Sequence, residues 1–425
     1  MTGSLLSGSC AHWPVGEPMR CWLRNPTLVR RVLNSLASSN PSSALNILEP
    51  LRVPFRVHHS MRRNIVTIAC INRIGTAVPE HDVHKAFINF VEQRLPDHKA
   101  KLLFRRMAQR AEIDHRYSTL KPHEDPTTAL DNEGFYQAEQ FADTTRRMAR
   151  FETHAVDLAE KAVDALGLGD EKGAVSHLVV TSCTGFTAPG LDQQLTERLR
   201  LNPSIERTMI GFMGCAAAVN ALKAANHIVR SEPSAKVLVV NLELCTLHLQ
   251  ETADLEENLS ALLFGDGCAA CLVSAESEGI ALQDFRVVTI PDTRDLITWR
   301  IGEAGFVMNL SGEVPRRIAR ALSHEAGRND DQGILWGQQQ HEFDLWAVHA
   351  GGRTILDAVE QGFDLAPDAL KWSRSVLRDF GNMSSATIMF VLQRILQQAA
   401  PASKGLGMAF GPGLAAETFR FNIAG

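Results

Sequence analysis

From Ile65 onward the hydrophobic positions alternate between short continuous runs and stretches with a period near 3.6 residues. "NIVTIACINRIGTAVP", "SHLVVTSC", "RTMIGF" and "KVLVVNLEL" read as strands, the first ending in a turn at Pro79. Residues 82–112 and 134–166 carry apolar positions at helical spacing, as in Phe151, Ala155, Leu158, Ala159, Ala162 and Leu166. Further helical stretches begin near Ala188 and Ala216. A softer polar interval, "SAESEGIALQDF", follows, and the alternation then resumes. "FDLWAVHAGG" leads to a helix from Arg353, then to "GNMSSATIMFVLQRIL" and "GMAFGPGLAAETFRF". Short apolar strands joined by helical crossovers predict an α/β layered fold with buried sheets. The shared grammar of residues 62–276 and 277–425 suggests pseudo-duplicated halves.

The first sixty residues break this pattern. They hold six arginines, no lysine, two glutamates and nine serines, with no sustained period. A transit peptide has this composition, and so does a translated region upstream of a start at Met61. The abrupt strand-like opening of "MRRNIVTIACINRIGTAVPEHDV" favours the second, and residues 1–61 are expected to be a poorly ordered extension.

A chain of 425 residues is too long for one simple core, so two sub-domains or one large layered domain is expected. The net charge of −5 argues against a general nucleic-acid binder. Eight irregularly spaced cysteines suggest free thiols in a reducing cytoplasm. No apolar run is long enough to span a membrane.

Three polar residues stand at glycine-flanked junctions. Cys215, in "GFMGCAAA", falls between a strand and an alanine-rich helix, where unpaired N–H groups and the helix dipole favour a thiolate. A buried packing cysteine fits the same stretch, since free cysteine is among the most buried residue types. His349 ends the apolar run "DLWAVH" ahead of a glycine turn, at the usual active-site edge of an α/β sheet. A core histidine bonded to a carbonyl is the alternative. Asn382 in "DFGNMSSA" reads equally as a turn or N-cap residue.

Together "GFMGCAAA", "AVHAGGRTILDAVE", "FGNMSSAT", "LLFGDGCAA" and "FGPGL" resemble the type III polyketide synthases, the chalcone and stilbene synthase group. The resemblance runs from about residue 65 to 423. It implies a thiolase-like, five-layered α-β-α-β-α fold and a homodimer. It implies Cys215, His349 and Asn382 as a catalytic triad, with Phe264 as an aromatic gate. Cys215 would accept an acyl group from a thioester. His349 and Asn382 would stabilise the enolate formed as malonyl-CoA loses carbon dioxide. Neither metal nor redox cofactor is required. The family's cationic CoA contacts fall on Arg106 and Arg110, an i,i+4 pair. A third falls on Leu103, leaving Lys101 as a substitute. A CxxC at Cys268 and Cys271 reads as two structural thiols, because i and i+3 on a strand face opposite ways.

Departures from the plant pattern point to the substrate. Small side chains at Thr184, Ala188 and Cys245, with Glu243 alongside, would open a tunnel for a long acyl starter, delivered on CoA or on an acyl carrier protein. Each buried methylene would contribute about 0.8 kcal/mol. Met308 stands where plant members have a second gating phenylalanine, and Trp299 where they have glycine. A narrowed cavity would favour aldol closure to an alkylresorcinol over lactonisation to an alkylpyrone. Gly411, Pro412 and Gly413 would form a rigid loop lining the cavity. A single-condensation ketoacyl synthase and a degenerate acyl-binding scaffold are the competing readings.

Overall fold

The computed structural model describes residues 67–424 apart from 126 and 329. The expected extension, residues 1–61, lies outside them. The first half runs β1 (Cys70–Ala77), α1 (His84–Arg94), α2 (His98–Arg110), α3 (Thr144–Leu166), β2 (His177–Ser182), α4 (Leu191–Arg198) and β3 (Glu206–Gly211). It continues through α5 (Ala217–Ser231), β4 (Val237–Leu244), α6 (Leu255–Ala261) and β5 (Asp266–Ser274). The second half runs β6 (Gly279–Thr289), β7 (Ile297–Gly302), β8 (Gly305–Leu310), α7 (Val314–Ala326) and β9 (Leu345–Val348). It ends with α8 (Arg353–Phe363), α9 (Lys371–Phe380), α10 (Thr387–Gln398), β10 (Lys404–Gly411) and β11 (Ala415–Ala424).

The period-two alternation of the strands sorts their side chains between separate cores. Leu178 and Val180 of β2, with Leu238 and Val240 of β4, pack against α3. The intervening Val179, Val237 and Val239 face the opposite way, onto α5 and α10. In the second half Ala409, Phe419 and Phe421 face that same central helix pair. Trp346, Val348, Leu406 and Met408 turn outward onto α7 and α8. Five layers result: α3, strands, the α5 and α10 pair, strands, then α7 and α8. The CxxC obeys the same rule, with Cys268 in the first core and Cys271 in the second.

The strands form one mixed nine-stranded sheet in the order β9-β10-β11-β6-β1-β5-β4-β2-β3. Its two halves join only where β1 pairs with β6, through Cys70 with Ala281 and Ile71 with Ile280. The polar interval of the sequence is therefore the turn into a joining strand. Gly75 permits the close approach of α3 to β1, since a Cβ there would lie 2.3 Å from the Ala162 carbonyl oxygen. Among the described residues no helix is long and apolar enough to cross a membrane.

Two expected helices differ at their ends. The 82–112 stretch splits into α1 and α2, because Pro96 disfavours helix at Leu95 and Asp97 caps a new one by accepting from the Ala100 N–H. The 134–166 stretch becomes helical only at Thr144, where the Asp143 side chain accepts from the Arg146 N–H. The residues before it form a small ladder at Tyr136–Gln137 and Gln140–Phe141.

Candidate active site

The N-termini of the two central helices meet at one place. Each is entered through a three-residue 3₁₀ turn behind a methionine, Gly214–Ala216 before α5 and Ser384–Ala386 before α10. Gly214 adopts φ 59° and Ser384 adopts φ 46°. The Ser384 conformation is held by its own N–H, which donates to Asn382 Oδ1 at 2.8 Å. Gly214 has a second constraint: a Cβ there would lie 2.5 Å from Pro412 Cδ. The 411–413 loop thus packs directly on the cysteine turn.

Cys215 on the first turn is half-buried. Burial pushes its thiol up to about 12, opposed by hydrogen bonds from the Ser384 and Asn382 side chains and reinforced by Glu243. Burial thus opposes the thiolate that a helix N-terminus favours.

His349 follows β9, where its N–H donates to the Met408 carbonyl oxygen at 2.8 Å. The ring is 2% exposed, and neither ring nitrogen has a hydrogen-bond partner among the described residues. Burial pushes the imidazole down to about 3, so it rests neutral. An unsatisfied buried polar group is costly, and a ligand oxygen or thiol arriving here would relieve that cost.

Asn382 is fixed on every side. Its N–H donates to Leu263 O at 2.8 Å, and its carbonyl accepts from Gly265 N at 3.0 Å. Nδ2 donates to Gly351 O at 3.1 Å, and the carboxamide also donates to the Cys215 thiol.

Cys215, His349, Asn382, Phe264, Ser384 and Pro412 line a single cavity, together with Thr184, Cys245, Trp299 and Met308. Trp299 and Met308 are cross-strand partners in the β7–β8 hairpin. The indole Nε1 donates to Cys183 O at 2.7 Å, and its ring meets His248 and Phe306 edge-on. The cavity continues among Val83, Phe87, Leu120, Leu130, Tyr136 and Leu249. Two polar side chains on that side are already satisfied: Tyr136 Oη donates to Thr246 O at 2.6 Å, and Asp131 accepts three backbone N–H groups. What remains to face a ligand there is mostly hydrocarbon.

Several expected cavity residues lie elsewhere. Ala188 is exposed on the loop after β2, because the chain leaves the sheet at Gly185 and turns outward before α4. Glu243 is fully buried behind the cavity wall, accepting from Cys183 N, Thr184 Oγ1 and Ser385 Oγ at 2.9, 2.8 and 2.6 Å. Burial pushes it up to about 7 despite these bonds. Gly411 and Gly413 do not line the cavity; the first packs on Ala216 and the second supplies a φ of 69° for the turn. Arg106 and Arg110 sit exposed on one face of α2, and Arg353 Nη1 donates to Arg110 O at 3.1 Å. Leu103 is exposed and Lys101 half-buried on the same helix.

Sequence patterns missed Cys183, Ser384 and Arg116 as lining residues, along with the hydrocarbon side. Cys183 and Ser384 adjoin motif residues and were within reach. The apolar lining at Leu120 and Leu130 belongs to loops, and that at Tyr136 to a two-residue strand, none with a period that announces a cavity.

A nucleophile candidate, a buried neutral imidazole and a fixed carboxamide, meeting at paired helix N-termini in a five-layered fold, define a thiolase-like condensing enzyme. The chain belongs to the chalcone and stilbene synthase family, the type III polyketide synthases. The family's N-terminal domain matches residues 58–277 and its C-terminal domain residues 280–423. It is therefore a transferase that works on CoA thioesters. The chain is similar to the alpha-pyrone synthesis polyketide synthase-like Pks18 of Mycobacterium tuberculosis, 33% identical over 84% of this chain and 92% of that one. Among solved structures it is similar to PKS-I of the brown alga Ectocarpus siliculosus, 28% identical, with a TM-score of 0.72 over 84% of this chain and 99% of that one. It is also similar to 1,3,6,8-tetrahydroxynaphthalene synthase of Streptomyces coelicolor, 26% identical, with a TM-score of 0.72 over 84% and 99% of the two chains.

Proposed function

We propose that the protein extends a long-chain fatty acyl starter with malonyl units and closes the product by aldol condensation to an alkylresorcinol. The observation that carries the starter is the hydrocarbon side of the cavity, reached past Thr184 and Cys245. Moving an alkyl chain from water onto such a surface is favoured by about 0.8 kcal/mol per methylene.

In this reading Cys215 attacks the starter thioester while its proton passes to His349, and CoA thiol leaves. Burial opposes either charge alone, but the thiolate and imidazolium form together and offset each other. Malonyl-CoA then takes the place of the departed CoA, with its thioester oxygen against His349 and the Asn382 N–H that the acylated cysteine no longer engages as a thiol. Those donors stabilise the enolate as carbon dioxide is lost. The carbanion attacks the Cys215 thioester, and the lengthened chain returns to the thiol. Arg106 and Arg110 hold the CoA phosphates, and Phe264 shields the reacting carbons from water.

The Trp299 indole, anchored to Cys183 O, restricts the space into which the polyketide folds. That restriction supports the bent chain that aldol closure needs. Lactonisation to an alkylpyrone is the second reading, favoured by the similarity to Pks18. A homodimer is part of the proposal, supported by Phe186, Met209 and Met213, exposed apolar residues around the edge strand β3.

Incubation with malonyl-CoA and a graded series of acyl-CoAs, with products identified by mass spectrometry, tests the whole reading. Preference for short or aromatic starters would refute the long-chain assignment. A Trp299→Gly variant with an unchanged resorcinol-to-pyrone ratio would refute the role of the indole.

A further inference from the structure

Arg116 is a buried cation whose side-chain hydrogen bonds go only to neutral groups. Nε donates to His84 Nδ1 at 2.9 Å, and Nη1 donates to Ala261 O at 3.2 Å and Phe264 O at 2.8 Å. Nη2 has no partner among the described residues. Burial pushes the guanidinium down to about 9, so it remains cationic at neutral pH. Asp82 and Asp266 act on it electrostatically, yet neither carboxylate accepts from the guanidinium. Burying a charge on such terms is expensive, and an apolar side chain of similar volume would fill the space at lower cost.

The placement explains what the cation does. Its stem is wedged between two glycines: a Cβ on Gly381 would lie 2.8 Å from Arg116 Cγ, and one on Gly265 would lie 3.5 Å from Arg116 Cβ. Those glycines flank Asn382 and Phe264, whose segments are bridged to each other through Leu263 and Gly265. The Phe87 ring closes the other side, 4.6 Å from the guanidinium carbon.

We infer that Arg116 is a positioning residue, which pins the carbonyls of the 261–264 turn and so holds Phe264 and Asn382 in register at the reacting thioester. The inference rests on the roles proposed above for Phe264 and Asn382. It needs the planar guanidinium, because one side chain serves His84 and two carbonyls in different directions.

The test is steady-state kinetics of malonyl-CoA decarboxylation and of product formation in Arg116→Met and Arg116→Lys. Displacement of a catalytic group by about 1 Å costs about 100-fold in rate, so kcat should fall on that scale in R116M. KM for malonyl-CoA should stay within about twofold, because the CoA contacts lie elsewhere. Carbon dioxide released per condensation should rise, and R116K should recover part of kcat by serving the Phe264 carbonyl. Iodoacetamide labelling of Cys215 should fall by much less than kcat, since that thiol stands on a different turn and loses only the Asn382 hydrogen bond while keeping that of Ser384. The inference is overturned if folded R116M keeps kcat, or if kcat and Cys215 labelling fall by the same factor. Should R116M fail to fold, R116K alone decides, and unchanged kcat and coupling there overturn it. Asn382→Ala separates the two levels. If N382A still decarboxylates malonyl-CoA, the reading of Asn382 fails; if N382A loses that activity and R116M does not, only the positioning role fails.

Discussion

Phe264 and Asn382, separated by more than a hundred residues in sequence, are bridge partners: Asn382 N donates to Leu263 O, and Gly265 N donates to Asn382 O. The Phe264 ring and the Asn382 carboxamide therefore belong to one rigid piece. A carboxamide held in this way need not reorganise when charge develops on a substrate oxygen, the condition under which a hydrogen-bond donor is most effective.

The Asn382 carboxamide should accordingly matter to decarboxylation more than to acylation. Asn382→Ala is expected to slow carbon dioxide release from labelled malonyl-CoA by about 100-fold or more. Acyl transfer to Cys215, followed by intact-protein mass spectrometry, should change far less. Equal losses in both steps would contradict the division of labour.

His349 should set the reactivity of Cys215, because burial alone holds that thiol protonated. In His349→Gln, iodoacetamide labelling of Cys215 at neutral pH should slow by about tenfold or more. The difference from wild type should shrink as the pH rises and the thiolate forms without help. Peptide mapping over a pH series provides the measurement, and identical labelling rates at neutral pH would argue against the pairing.

Cys245 and Leu130 both line the side of the cavity assigned to the alkyl chain. Cys245→Phe should exclude several methylenes; losing four, at about 0.8 kcal/mol each, lowers kcat/KM for long starters by about 200-fold. Leu130→Trp should shorten the preferred chain without blocking it. Competition among acyl-CoAs of graded length reads both effects. An unaltered length preference in both variants would place the chain elsewhere.

Glu243 gives a stability prediction with a definite sign. Burial raises its folded-state value from 4.5 to about 7, so the native protein binds that proton more tightly than the unfolded chain does. Its contribution to stability is fully present below about pH 4.5 and is lost as the pH rises toward and through about 7, by at most about 1.4 kcal/mol per pH unit. Glu243→Gln keeps a neutral acceptor for Cys183 N and Thr184 Oγ1 and should remove this slope. Thermal unfolding of wild type and variant between pH 4.5 and 8 should therefore diverge in favour of E243Q as the pH rises. Parallel curves would mean that Glu243 is ionised throughout.

The polar residues that meet in the cavity were legible because each stands in a local motif. Cys215, His349 and Asn382 all occupy glycine-flanked ends of apolar runs, where strands stop and helices start. The layered fold was legible for a similar reason: alternation on β2, β4, β9 and β10 already divides their side chains between faces. Ala188 shows the limit. Its small size suggested a cavity floor, yet the turn after Gly185 carries it to the surface. Glu243 shows another, since a strand position fixes the face of the sheet and not the distance from a cavity.

Sequence alone determined the periods of strands and helices, their approximate order, and the residue types available for chemistry, because those depend on neighbours within a few positions. Tertiary structure alone decided that two 3₁₀ turns from opposite halves would face each other, that Phe264 would pair with Asn382, and that Arg116 would brace them. It also placed Leu120, Leu130 and Tyr136 around one cavity. These contacts join residues far apart in the chain, and their formation depends on how whole layers pack, which no local pattern encodes.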